Sequence, residues 1–397
     1  MNANMQKNLF LKICVVAFAT LLALFVAEFI VRVATVYPNT LDSNRVFDEN
    51  VGFRASQKIP EIDSYGYRNR AGLGREWIAL GDSQTFGNNV RSAEAWPARL
   101  GKALGKDIYN LGLGGYGLLS YHALLKRERH PETKAAIVAL YPTNDFELFY
   151  ASDADCLILN NPSTFWQEER QKLNLEWPAY PIGCLHNDYD DQSGFYGRLK
   201  QRIALLALTH DGLAKIAGFF GAQQRRKFPS WNAPGDALTF PDGVDPISRI
   251  RIEKHERSVD LEVPEVAAMW KNLPVLLGSW KAMAQEGLDV GIMVIPSRER
   301  VIYEFFARQN KLGELDPGFV ESLQKQIRLE MEIRGLLETV QLPFVFALED
   351  THRAHLYGRQ RNILTYPRRN DGHPLSLGYA AYASAARRLV DKMGLLQ

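Results

Sequence analysis

Two short stretches, separated by most of the chain, carry residue types that together can do acyl chemistry. Gly81-Asp82-Ser83 follows the apolar run Trp77 to Leu80, which places Ser83 on a turn at the carboxyl end of an expected strand, where active-site loops of open parallel sheets gather. A serine hydroxyl is a weak nucleophile until a base takes its proton as it attacks. Asp371-Gly372-His373 supplies that unit near the other end of the chain. The His373 imidazole is suited to accept the proton and return it to a leaving alcohol, and Asp371 to orient the ring and stabilise its charged form. Asp350 is the alternative carboxylate. Neither triplet is diagnostic alone, since Gly, Asp and Ser are ordinary turn residues.

Attack on an ester also requires donors for the negative oxygen that forms. Asn110 to Gly115 and Pro142 to Asp145 each follow an expected strand and offer amides. The preferred oxyanion donors are the backbone N–H groups of Ser83 and Gly115 and the side chain of Asn144. Arg298 is a candidate contact for an anionic substrate, set against a solvated surface position. Glu128-Arg129-His130 and Glu349-Asp350-Thr351-His352 lack a recognised ligand spacing, so neither a metal nor another cofactor is expected.

The elements that must bring these residues together alternate. Short apolar strands are expected at Trp77 to Leu80, Asp107 to Asn110, Ala135 to Tyr141, Leu288 to Ile295 and Pro343 to Ala347, with a further edge at Ile363 to Tyr366. Amphipathic helices are expected at Glu94 to Leu104, Leu118 to Arg129, Gly318 to Thr339 and Leu377 to Met393. This rhythm predicts an α/β fold, a three-layer sandwich around a mostly parallel sheet. It fails over residues 146–287, read as an inserted cap or subdomain with its own helices, Leu199 to Phe219 among them. The aromatic residues there line a cleft or build the insert's own core, and their types do not separate the two.

Residues 13–36 are almost wholly apolar, broken only by Glu28 and Arg32, and have the length of a membrane-spanning helix. Lys7 and Lys12 precede them, so residues 1–12 are expected as a cytoplasmic tail, 13–36 as a retained anchor and 37–74 as a connector, with the remainder across the membrane. Lys and Arg together number 47 against 45 Asp and Glu, a net charge of +2. That balance gives no broad basic surface, and no nucleic-acid partner is expected. Three cysteines make no disulfide framework; a Cys156–Cys184 bond and separate thiols both remain open.

Gly81 to Gly87, Asn110 to Gly115, Asn144-Asp145 and Asp371 to Pro374 resemble, in order, the blocks of the SGNH or GDSL-like hydrolase superfamily. The resemblance covers roughly Trp77 to Tyr141 and Leu288 to Met393. It implies a flavodoxin-like sandwich over residues 75–397, a Ser83/His373/Asp371 centre, and an oxyanion pocket of Ser83, Gly115 and Asn144. Two departures stand out: Pro142-Thr143 where glycine commonly opens the third block, and Asp371 two rather than three residues before His373. Ile295 to Tyr303 is also similar to a segment of alginate-type O-acetyltransferase relatives. The reading implied is a single-pass inner-membrane protein, its N-terminus cytoplasmic and its catalytic domain periplasmic. It would remove acyl groups, acetyl foremost, from an envelope glycan or lipid, alongside envelope biosynthesis partners. The alternatives are O-acyl transfer to an exported polysaccharide and a non-enzymatic envelope scaffold.

Overall fold

The computed structural model describes residues 12, 14–27, 45–57, 59, 61–146, 153–177, 237–238, 247–367 and 371–395. The chain forms two compact units, residues 1–43 with 189–226 and residues 44–188 with 227–397. In the first, residues 14–27 are helical, and Thr20 Oγ1 donates to the Val16 carbonyl at 2.8 Å. Among the described residues no helix is long and apolar enough to cross a membrane. This corrects the expected fold class in its N-terminal transmembrane helix, and with it the inner-membrane partner, the single-pass topology and the periplasmic placement. Glu28 and Arg32 lie outside the described residues.

The second unit opens with an antiparallel hairpin, β1 (Arg45–Asp48) and β2 (Gly52–Ala55). There follow β3 (Trp77–Leu80), a single-turn helix α1 (Ser83–Phe86), α2 (Trp96–Leu104), β4 (Ile108–Asn110), α3 (Leu118–Ala123) and β5 (Ala135–Leu140). The region expected as an insertion holds α4 (Ala154–Asn160), α5 (Thr164–Leu173), a small β6/β7 pair (Ala237–Leu238 and Ile247–Ser248), α6 (Arg249–Ser258) and α7 (Pro264–Ala282). The chain then returns to the sheet with β8 (Asp289–Val294), α8 (Arg298–Ala307), α9 (Pro317–Val340), β9 (Phe344–Phe346), α10 (Leu348–Arg361) and α11 (Ser376–Lys392).

Five strands form one parallel sheet in the order β4-β3-β5-β8-β9. Their sequences are nearly continuous apolar runs because both faces are covered; every side chain of WIAL and AAIVAL is buried. On one face Trp77, Ala79, Ile137, Ala139, Met293 and Val345 join Trp96 and Leu100 of α2 and Tyr382, Ala386 and Leu389 of α11 in one core. Gly291 lets α11 lie close, since a Cβ there would sit 2.5 Å from the Met393 sulfur. The alternate side chains Ile78, Leu80, Val138 and Ile292 are equally buried, and α7 packs on β8, α3 and α9.

Ile363 to Tyr366 forms no strand; it is irregular chain after α10. Helices α8 and α10 go beyond the expected set; their buried faces include polar and charged residues, Arg298, Glu299 and Arg300 in α8 and Asp350, His352 and His355 in α10, which break the apolar period. The insert's aromatics build its interior where they are described: Trp166 and Trp280 are fully buried, and Phe146 meets Trp270 edge to face. Leu199 to Phe219 lies outside the described residues. Cys156 is disulfide-bonded, Cys14 is free, and Cys184 lies outside the described residues.

Candidate active site

The sheet order reverses at β3, whose two successors lie on opposite sides of it, and the crevice beyond the carboxyl ends of the strands opens at such a point. Ser83 stands there. The chain leaves β3 through Gly81, with φ +157°, where a Cβ would lie 2.1 Å from Thr85 Oγ1; no larger residue fits. Asp82 then caps α1, its Oδ1 accepting the Gln84 N–H at 2.8 Å. The capping bond turns the chain sharply and sets Ser83 at the first position of the helix.

His373 Nε2 lies 2.7 Å from Ser83 Oγ, and its Nδ1 lies 2.7 Å from Asp371 Oδ1. A carboxylate on Nδ1 assigns the proton there and leaves Nε2 with its lone pair toward the serine hydroxyl. The Asp371–His373 turn closes on itself through the His373 N–H, which donates to Asp371 Oδ1 at 2.9 Å. This local bond makes a two-residue spacing sufficient. Asn89, in the left-handed region at φ +69°, donates to Asp371 Oδ2 at 3.0 Å and to the His373 carbonyl at 3.2 Å. Asn88 Nδ2 lies 3.4 Å from His373 Nε2. Burial opposes ionisation of Asp371, but the bonds and charge of His373 outweigh it and hold the carboxyl well below the usual aspartate range. About a quarter of the His373 side chain is exposed, so a solute can reach it.

The loop after β4 is tied down by asparagines. Asn110 Nδ2 donates to the Thr85 carbonyl at 2.9 Å, and its Oδ1 accepts the Gly112 N–H at 2.8 Å. Gly114 borders Ser83, a Cβ at that position lying 3.4 Å from the serine Cβ. Gly115 follows with φ +85°. The loop after β5 brings Asn144, whose Nδ2 donates to Asp82 Oδ2 at 3.1 Å. The same oxygen lies 3.3 Å from Ser83 Oγ. Asn144 thus stands beside the nucleophile with its second amide hydrogen uncommitted to Asp82.

Asp82 is the residue that sequence reasoning passed over. Its residue type suits an ordinary turn, yet it is fully buried and collects Gln84, Ser83 and Asn144. Burial pushes its carboxyl up to about 6 against those bonds. Asp145 beneath it is raised as well, by burial and by the neighbouring Asp82 charge, while it accepts Tyr121 OH at 2.8 Å and the Tyr141 N–H at 2.7 Å. The available signal is an acidic residue one glycine beyond an all-apolar strand. Asn88 and Asn89 carried no comparable signal, since their role depends on a loop nearly three hundred residues away.

Two other candidates lie elsewhere. Arg298, by its sequence a candidate substrate contact or a solvated surface group, is neither: it is 1 % exposed and donates to the Asp371 carbonyl at 3.3 Å, under the histidine loop. Asp350 joins α10 to α11 through Arg388 and Ser384 Oγ and pairs with Arg353, so it holds helices together and does not serve His373. No cluster of metal-ligating side chains is found among the described residues. Taken as chemistry, a hydroxyl, an imidazole with a free lone pair and an orienting carboxylate in line make a serine-hydrolase-type relay.

No family model matches the chain, and no curated protein matches it. A solved structure described as "an alpha/beta hydrolase enzyme from the metagenome of Lake Arreo, Spain" is similar at 12% identity, with 82% of this chain and 97% of that chain covered and a TM-score of 0.33. So distant a superposition fixes neither fold nor function. The expected membership, an SGNH or GDSL-like hydrolase anchored in a membrane and akin to alginate-type O-acetyltransferases, is corrected on both counts. No family model carries that membership, and no helix among the described residues is long and apolar enough to span.

Proposed function

We propose that the protein is a serine-dependent ester hydrolase working through an acyl-serine intermediate. The observation that carries this reading is the contact of 2.7 Å between His373 Nε2 and Ser83 Oγ, backed by Asp371 on the other ring nitrogen. In the proposed cycle Ser83 Oγ attacks the ester carbon while His373 takes its proton. The oxyanion is met by the Ser83 and Gly115 N–H groups and the Asn144 amide. The tetrahedral intermediate collapses, His373 protonates the departing alcohol, and the acyl group stays on Ser83. Water, deprotonated by the same imidazole, then releases the carboxylic acid and restores the hydroxyl.

The finer part of the proposal is an acetyl group leaving a glycan or lipid hydroxyl. Transfer of the same acyl group to a sugar hydroxyl uses every residue named, and only the acceptor differs. A non-enzymatic scaffold is the reading that an accessible but unreactive Ser83 in folded protein would favour.

The test is covalent. A fluorophosphonate probe should modify Ser83 in the parent protein, and the adduct should vanish in Ser83→Ala and fall sharply in His373→Ala. Acetyl ester turnover measured with and without added glycan separates hydrolysis from transfer. An unlabelled but accessible Ser83 in folded protein would refute the reading.

A further inference from the structure

The connector expected over residues 37–74 does more than link, because its hairpin reaches the loop that borders Ser83. Arg45, the first residue of β1, donates from Nη2 to the Gly114 carbonyl at 2.9 Å. Its guanidinium lies over the Phe53 ring, 4.1 Å from the centroid. Phe53 is itself fully buried on β2 and packs on Tyr116, whose hydroxyl donates to the Phe53 carbonyl at 2.6 Å. Stacking holds the planar fork in one orientation, so the cation is fixed where it meets the carbonyl.

The Gly114 carbonyl and the Gly115 N–H belong to one peptide unit. The described chain has no cis peptide bond, and in a trans unit the N–H points opposite to the C=O. Arg45 therefore grips one side of a plane whose other side presents the proposed oxyanion donor. The next carbonyl, that of Gly115, is held by the Ala154 N–H at 2.8 Å, which fixes the chain just beyond. Two glycines in sequence would otherwise leave this plane free to rotate. A cation on the carbonyl oxygen also withdraws electron density from the amide, and a more polarised N–H is a stronger donor to an anion.

We infer that Arg45 is a positioning residue that orients and polarises the Gly114–Gly115 peptide, so that the N-terminal hairpin is part of the catalytic apparatus. The inference rests on the hydrolase reading and assigns Arg45 no contact with substrate.

The experiment uses the full chain with Arg45→Met and Arg45→Lys, acetyl ester kinetics, and inhibition by a simple arylboronic acid, which forms a tetrahedral anionic adduct on a nucleophilic serine. Arg45→Met should lower kcat by about tenfold or more with little change in KM, because an oxyanion donor acts chiefly in the transition state. Boronate affinity should fall by a similar factor, and Arg45→Lys should recover part of both. A purely structural role predicts a lower melting temperature with parental kcat and boronate affinity in the folded fraction; that result would overturn the inference. Equal kcat and boronate affinity in all three proteins, with Ser83 labelled in each, would remove Arg45 alone. Failure of the parent to label would remove the hydrolase reading and this inference with it.

Discussion

Two histidines in this molecule hold a carboxylate at the same distance and do opposite things. His373 lies 2.7 Å from Asp371, and His122 lies 2.7 Å from Glu169. The difference is at the second nitrogen. His373 turns its other nitrogen to a hydroxyl at the open end of the sheet. His122 uses its Nδ1 to accept the Trp280 indole N–H at 3.2 Å and is completely buried, against Phe165 and Trp166. With Trp280 donating to Nδ1, the His122 proton sits on Nε2 and goes to Glu169. Burial, the largest influence, holds this imidazole below the usual histidine value in spite of Glu169. A histidine–carboxylate pair is thus no signature of catalysis; a lone pair aimed at a nucleophile within reach of solute is.

That contrast breaks first at the nucleophile. Ser83→Ala should lower kcat by roughly a millionfold, the scale seen when a triad serine is removed, while melting stays near parental; turnover near the parental rate in folded protein would end the comparison. Asp371→Asn should cost about ten-thousandfold in kcat, because an amide no longer holds the proton on Nδ1 and the reactive nitrogen loses its lone pair. A pH–rate profile together with labelling of Ser83 measures this. Asn144→Ala, by removing one donor, should cost about a hundredfold or more in kcat with KM little changed.

The buried histidine should answer differently. His122→Ala leaves Glu169 and the Trp280 N–H without their partner, and should cost about 3 kcal/mol of stability in denaturant titration with kcat intact. A fall in kcat matching that of His373→Ala would erase the distinction. The smallest effect concerns Asp82. Its carboxyl is raised when folded, so the stability it lends is full below the ordinary aspartate value of about 4 and is lost as pH rises through about 6. Asp82→Asn should therefore gain on the parent above that range, by roughly 1–2 kcal/mol, with the gain absent near pH 4. Melting curves of both proteins across that interval test it, and a constant offset would deny Asp82 its titration.

Much of the fold was legible because parallel strands covered on both faces must be apolar throughout. Trp77 to Leu80 and Ala135 to Leu140 declare themselves as runs bounded by polar turns. Helix α9 was legible over Gly318 to Thr339, although its buried face runs through Leu329 and Ile333 and leaves Met331 exposed. Helices α8 and α10 lie outside that pattern because Arg298, Glu299, Arg300 and Asp350 are buried, Arg300 and Asp350 in ion pairs, and no hydrophobic periodicity reports a buried salt bridge. The apolar composition of residues 13–36 suggested a span by length alone, and among the described residues no helix is long and apolar enough to cross a membrane.

Residue type alone determined which side chains had the chemistry: a hydroxyl, an imidazole, a carboxylate and a set of amides, with Asp371 near enough in sequence to His373 to bond it through a local turn. Tertiary structure decided that Ser83 and His373, 290 positions apart, meet at 2.7 Å, and that Asp82, Asn89 and Arg45 support the loops around them. Local bonds can be foreseen because the chain itself limits the distance. Contacts across the sheet cannot, since they exist only once the burial of five strands has brought their carboxyl ends together.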